Sequence, residues 1–191
     1  MNLPNQITIG RLFLAAFLFV LLDVWCRGEP DGWIWYVAFT LYMVTVLSDS
    51  LDGYLARSRD EITAFGRIAD PFADKILICG ILVLGLSLPQ TRPLVPTWIV
   101  LVVLAREFLV SGLRGYLESR GIRFGASWEG KFKLVTQAVY CGAIVFYPGH
   151  YFGWVRMVAR IALWTTLFIS VYSAWQYARS ARRALGDLGE T

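Results

Sequence analysis

Charged residues are nearly absent from six stretches of this chain: 12–22, 32–48, 76–91, 93–113, 134–155 and 161–178. Only Arg106 and Glu107 interrupt them. A bilayer-crossing helix needs roughly 20 mainly apolar residues. Five of the stretches meet that need, or meet it with their flanks. The first is shorter, but Arg11 and Asp23 sit at its ends, where their side chains reach the interface. The expected fold is all-α: a polytopic integral membrane protein with six transmembrane helices, forming one domain over residues 1–191. Composition agrees. Of the 191 residues 57% are hydrophobic and 17% charged, whereas a soluble domain carries about a quarter charged. That excludes a disordered chain and argues against a soluble enzyme. MNLPNQ lacks the basic start of a signal peptide, and no small-residue cleavage pattern follows the first apolar run.

Orientation follows from the basic residues of alternate loops. Arg57, Arg59, Arg67, Arg114, Arg120, Arg123, Lys131, Lys133, Arg179, Arg182 and Arg183 fall on one side, and Arg27, Arg92, Arg156 and Arg160 on the other. Eleven against four places the first side, and with it both termini, in the cytoplasm. Trp33, Trp35, Tyr36, Trp98, Tyr151 and Trp154 lie near span ends on the opposite side, as interfacial anchors do. The net charge of +4 therefore sets topology, and no nucleic-acid partner is expected. Cys26, Cys79 and Cys141 are odd in number and far apart, which fits buried hydrophobes better than a disulfide framework or a metal site.

The chemistry concentrates between Ser48 and Lys75, which reads SDSLDGYLARSRDEITAFGRIADPFADK. Asp49 and Asp52 are three apart at the end of the second span. Asp70 and Asp74 are four apart at the start of the third. Both spacings put a pair on one helix face, and a short connection lets the pairs meet at one depth. A carboxylate in a membrane helix costs about 2.5–3.5 kcal/mol on the insertion scale, so four together require neutralisation. Arg57 and Lys75 supply part of it. Divalent cations supply more, and an all-oxygen set without His or Cys favours Mg²⁺, Mn²⁺ or Ca²⁺ over zinc. Two such ions suit phosphoryl chemistry. Gly53 and Ala56 let a bulky ligand approach the backbone, and Arg57 can grip a phosphate bidentately. Two other readings stand beside this one. The acids can simply end helices in pairs with Arg57, Arg59, Arg67 and Lys75. They can also belong to a divalent-cation transporter, although transporter acids usually lie near the membrane midplane.

The residues spell Asp49-x2-Asp52-Gly53-x2-Ala56-Arg57-x8-Gly66-x3-Asp70-x3-Asp74, which resembles the signature of the CDP-alcohol phosphotransferase family at every fixed position. The start, Asn2-Leu3-Pro4-Asn5-Gln6-Ile7-Thr8 with Arg11, is similar to that of the family's phosphatidylglycerophosphate synthases. So are residues 105–114 (AREFLVSGLR) and 127–137 (SWEGKFKLVTQ). Leu134 stands where that branch commonly has Thr, and Glu129 adds an acid beside the lysines. The resemblance implies a homodimeric six-helix enzyme of the inner (cytoplasmic) membrane, with its active site facing the cytoplasm and two divalent cations, Mg²⁺ or Mn²⁺. By the same implication Asp49, Asp52 and Asp70 hold one ion. Asp49, Asp70 and Asp74 hold the other, and Asp74 is also the general base. Gly53, Ala56, Arg57, Thr63 and Gly66 then bind CDP-diacylglycerol.

An acceptor carrying a phosphate needs cations at the same membrane level. Arg106, Arg114, Lys131 and Lys133 are the candidates, against the ordinary alternative that the last three are positive-inside residues. Arg106 beside Glu107 inside a span is costly and tends to be functional. His150, beside Pro148 and Gly149, reads as an interfacial loop residue. The expected reaction moves the phosphatidyl group of CDP-diacylglycerol to glycerol 3-phosphate, giving phosphatidylglycerophosphate and CMP. The alternatives are the same chemistry on another acceptor, as in a cardiolipin synthase or a phosphatidylinositol-phosphate synthase, and the transporter.

Overall fold

Prolines mark two of the breaks between the helices of this chain. The computed structural model describes residues 3–25, 32–58, 64–120, 128–150 and 152–189. Six α-helices follow one another: α1 (Leu3–Val20), continued by a π-helical turn at Leu21–Trp25, then α2 (Gly32–Ser58), α3 (Ala64–Ser87), α4 (Thr97–Ser119), α5 (Trp128–Phe146) and α6 (Gly153–Gly189). There is no strand among the described residues. α3 ends two residues before Pro89, and Pro93 lies in the 3₁₀ turn Arg92–Leu94. Pro96, with φ −65° and ψ 123°, caps α4. Pro148 lies in the turn Tyr147–Gly149 between α5 and α6. Each proline lacks the N–H a helix would need and crowds the preceding turn.

Helix number agrees with the six stretches, while the boundaries shift. The stretch 134–155 is divided, since α5 closes at Phe146 and α6 opens at Gly153. At the other end, α2 runs on to Ser58, α4 to Ser119 and α6 to Gly189. Absence of charge marks depth in an apolar medium, whereas backbone hydrogen bonding continues past it into charged turns. Among the described residues, Gly153–Arg182 is the helix long and apolar enough to cross a membrane, and Gly32–Ser48 is a shorter apolar segment. Charge lies within the other helices too, at Arg11 in α1, Asp74 and Lys75 in α3, four residues in α4, and Lys131 and Lys133 in α5, as it does at Arg156, Arg160, Arg179 and Arg182 in α6.

α5 sits at the centre, packed on α2, α3 and α6, while α1 lies against α2 and α3, and α4 against α3 and α6. The core runs through Leu18, Ala38, Tyr42, Ile81, Leu82, Ile99, Cys141 and Ile144, all nearly solvent-free. Glycines allow close approaches within it. A Cβ on Gly80 would stand 2.2 Å from Phe19 Cζ, and one on Gly142 would stand 3.1 Å from Tyr42 Cε1. The Tyr42 hydroxyl donates to the Ala138 carbonyl at 2.6 Å, and Tyr140 donates to the Leu94 carbonyl at 2.9 Å.

Polarity is distributed in an unusual way. Phe13, Leu101, Phe108, Trp128, Met157, Ile161 and Phe168 are 59% exposed or more. Arg11, Arg106, Glu107, Lys133, Gln137, Ser170 and Ser173 are buried. Water-soluble monomers rarely expose apolar surface so widely.

Candidate active site

Spacing along α4 builds one wall of a charged cavity. Glu107, Ser111, Arg114 and Glu118 recur at steps of four, three and four, which is one helix face. They line a cavity of about 520 Å³ together with Asp74 and Lys75 from α3, Lys133 and Gln137 from α5, and Tyr177 from α6. Arg106 joins them from the neighbouring position on α4.

Charges in a low-dielectric interior must be paired, and Glu107 does the pairing here. Its Oε1 accepts from Lys133 Nζ at 2.5 Å, from Arg106 Nη1 at 3.1 Å and from Gln137 Nε2 at 3.1 Å. Arg106 turns its other arm to α6, where Nη2 donates to Ser173 Oγ at 2.7 Å. Glu107 thus ties α4 to α5, and Arg106 carries the link on to α6. On the α3 side, Lys75 donates to the Ser111 hydroxyl, and that hydroxyl donates to the Glu107 carbonyl at 2.5 Å. Arg114 pairs with Glu118 at 2.8 Å, with both side chains about half exposed.

Asp74 connects this cavity to a second feature. Arg11 of α1 reaches its Oδ1 at 3.3 Å, with the arginine side chain 4% exposed. Arg11, Tyr42, Thr45, Val46, Asp74, Leu134 and Ala138 are among the residues lining a narrow space of about 40 Å³. Tyr42, Val46 and Ala138 also line an apolar groove of about 420 Å³ between α2, α5 and the start of α6. A chain of shared residues thus leads from polar cavity to apolar groove.

The structure brings Asp74, Arg106, Arg114 and Lys133 of the expected site to one cavity. It does not bring Lys131 there. That side chain is exposed, and its ammonium lies 5.6 Å from the centre of the Trp128 ring. α5 turns position 133 inward toward α4, so position 131 faces outward. Asp49, Asp52, Gly53, Ala56 and Arg57 are carried by α2, and Gly66 and Asp70 by α3, but their side chains lie outside the described residues. Thr63 lies outside them altogether. Among the described residues no three His, Cys, Asp or Glu side chains gather as metal ligands. Asp74, the member of the acidic set that is described, offers the hard oxygen donor that Mg²⁺ or Mn²⁺ prefers.

Gln137, Ser173 and Tyr177 were not among the expected site residues, and Lys75 was expected only as a partial counter-charge to the acids. Gln137 had a signal, being four residues beyond Lys133 and hence on its face. Lys75 adjoins Asp74. Nothing local marks Ser173 or Tyr177, because their place depends on how α6 crosses α4.

Comparison with known proteins bears on this geometry. The CDP-diacylglycerol–glycerol-3-phosphate 3-phosphatidyltransferase of Bacillus subtilis is 32% identical over 183 residues, covering 92% of this chain and 93% of that protein. The protein of the same description from Haemophilus influenzae is 28% identical, covering 97% and 96%. The one from Rickettsia bellii is 31% identical, covering 95% and 96%. Residues 1–172 match the CDP-alcohol phosphatidyltransferase family. On that match and those relatives, the chain belongs to the CDP-alcohol phosphatidyltransferase family.

Proposed function

We propose that the protein is an enzyme of the inner membrane that transfers the phosphatidyl group of CDP-diacylglycerol to glycerol 3-phosphate, releasing CMP. The observation that carries this reading is the single cavity in which a carboxylate, Asp74, stands with the cations Lys75, Arg106, Arg114 and Lys133. The relatives named for that reaction support the choice of substrates. The whole chain, 1–191, acts as one domain of six spans with both termini in the cytoplasm, in a homodimer. The apolar exterior and the buried cluster of charged side chains support the membrane setting, because lipid solvates the first and not the second.

The acceptor phosphate lies among Lys75, Arg106, Arg114 and Lys133, which offset its charge and orient the glycerol toward α3. Lys131 is left to the membrane surface. Asp74 takes the proton from the primary hydroxyl, a step that requires hydrogen-bond reach. The hydroxyl oxygen forms a bond to the phosphorus bearing diacylglycerol. The bond from that phosphorus to the bridging pyrophosphate oxygen breaks, and CMP leaves with the electron pair. Gly53, Ala56, Arg57, Thr63 and Gly66 bind the CDP head. Asp49, Asp52, Asp70 and Asp74 would hold two divalent cations, Mg²⁺ or Mn²⁺, which would supply stabilisation of negative charge on the pyrophosphate and the leaving group. An acyl chain fits the apolar groove lined by Phe39, Met43, Val139 and Phe146. Much of the acceleration comes from holding two charged reactants in register.

The test is CMP release by detergent-purified protein given CDP-diacylglycerol and a panel of acceptors. Glycerol 3-phosphate should support release, chelator should abolish it, and Mg²⁺ or Mn²⁺ should restore it. Release with phosphatidylglycerol, inositol phosphate or serine in its place would reassign the acceptor. Metal uptake into sealed vesicles without any nucleotide would favour the transporter.

A further inference from the structure

The chemistry above leaves Glu107 without a task. Its position even opposes the reading at first sight, since a negative charge in the cavity wall repels the acceptor's phosphate. The geometry explains why such a charge belongs there. Lys133 and Arg106 are both less than a tenth exposed, and both donate to Glu107 Oε1. Two cations buried side by side without an anion repel each other and forfeit hydration. The lysine, on its flexible four-carbon stem, is the one that can leave. Arg106 depends on the same carboxylate. Its Nε is buried without a hydrogen-bond partner among the described residues, so Glu107 and Ser173 are the two anchors of its guanidinium.

We propose that Glu107 is a positioning residue for the acceptor phosphate. Without touching the acceptor, its carboxylate holds Lys133 and Arg106 in the wall of the cavity that Asp74 also lines, so that a phosphate monoester meets a preformed cationic surface. The proposal rests on the reaction assigned above. Ser111 extends the arrangement by joining Lys75 to the Glu107 carbonyl.

The test compares wild type, Glu107→Gln, Lys133→Gln and the double variant, with CMP release measured while each substrate is varied at saturation of the other. Glu107→Gln is expected to raise the KM for glycerol 3-phosphate about tenfold or more, the scale of one charge-assisted hydrogen bond. It should leave the KM for CDP-diacylglycerol within about twofold. Added to Lys133→Gln, it should raise the acceptor KM by less than it does alone, because its route through Lys133 is gone and only the one through Arg106 remains. An acceptor KM that is unchanged or lower overturns the proposal. So does a parallel rise in both KM values, the mark of a merely structural role, or a full additional effect on top of Lys133→Gln. If Glu107→Gln does not fold, Glu107→Asp keeps the charge one methylene short. It should show the same split between substrates at about threefold, and an unchanged acceptor KM in that variant is equally fatal. Wild-type protein that releases no CMP with glycerol 3-phosphate would sink the assigned reaction and this role with it. Active wild type with an indifferent Glu107→Gln sinks the role alone.

Discussion

Replacing Lys133 by Met removes one ammonium from the cavity and keeps an unbranched apolar stem in its place. Lys133 is 9% exposed at its side chain, and its Glu107 partner 7%, so the pair is poorly screened by water. A charge-assisted hydrogen bond from that ammonium to an acceptor phosphate is worth about 1.5–3 kcal/mol. The KM for glycerol 3-phosphate should therefore rise roughly 10- to 150-fold. The variant also deprives Glu107 of its 2.5 Å partner, although Arg106 and Gln137 remain. Stability should fall by about 2 kcal/mol, less than the 3–5 kcal/mol expected when a buried charge loses every partner. Lys131→Ala is the control. Its ammonium is exposed above the Trp128 ring, an interaction of about 0.5–1 kcal/mol, and the acceptor KM should not move beyond about twofold. The assay is CMP release at saturating CDP-diacylglycerol across a series of acceptor concentrations, with thermal unfolding of each purified variant alongside. Equal effects of the two substitutions, or an unaltered acceptor KM in Lys133→Met, would refute the cavity as the acceptor site.

Asp74→Asn should abolish CMP release while the protein still inserts and purifies as a folded species; near-normal turnover would remove Asp74 as the base. Gly80→Ala places a methyl where Phe19 Cζ would stand 2.2 Å away. Overpacking of that kind costs about 1–3 kcal/mol, so the unfolding temperature in detergent should drop while the KM for glycerol 3-phosphate stays near wild type. Val139→Trp fills the apolar groove from a position 46% exposed, without disturbing the core. Its kcat/KM should decline more for long-chain than for short-chain CDP-diacylglycerol, and equal declines would remove the groove as an acyl site.

Six helices were legible because charge is costly in an apolar medium, and the chain keeps it out of six stretches. Their ends were less so: α5 stops at Phe146 because of Pro148, which an index of charge does not register. Spacing placed Glu107, Ser111 and Arg114 on one face of α4, and the cavity is lined by that face. The contrast between Lys131 and Lys133 was not available from spacing. Both are basic residues before an apolar run, and only the rotation of α5 against α4 buries one and exposes the other. Glu107 read as half of a local pair with Arg106. Its bonds to Lys133 and Gln137 span 26 and 30 residues of chain and exist only once α4 and α5 have packed. A helix face is a local property and can be counted out, whereas the partner that the face meets is a property of the whole fold.

The charge inventory of the cavity bears on the class of acceptor. Arg114 and Glu118 pair at its half-exposed rim, and their charges cancel in the count. Inside that rim stand Lys75, Arg106 and Lys133 against Asp74 and Glu107, an excess of one positive charge, and Arg11 adds another beside Asp74. A neutral alcohol such as free glycerol would dehydrate these cations and give them no anion in return. A phosphate monoester brings two negative charges and several acceptor oxygens to the same place, which offsets the dehydration it causes. The net positive charge left after Glu107 and Asp74 are counted is thus matched by a phosphorylated acceptor and not by a neutral one. For that reason the preference should appear as a far higher kcat/KM for glycerol 3-phosphate than for glycerol, rather than as a small difference in affinity.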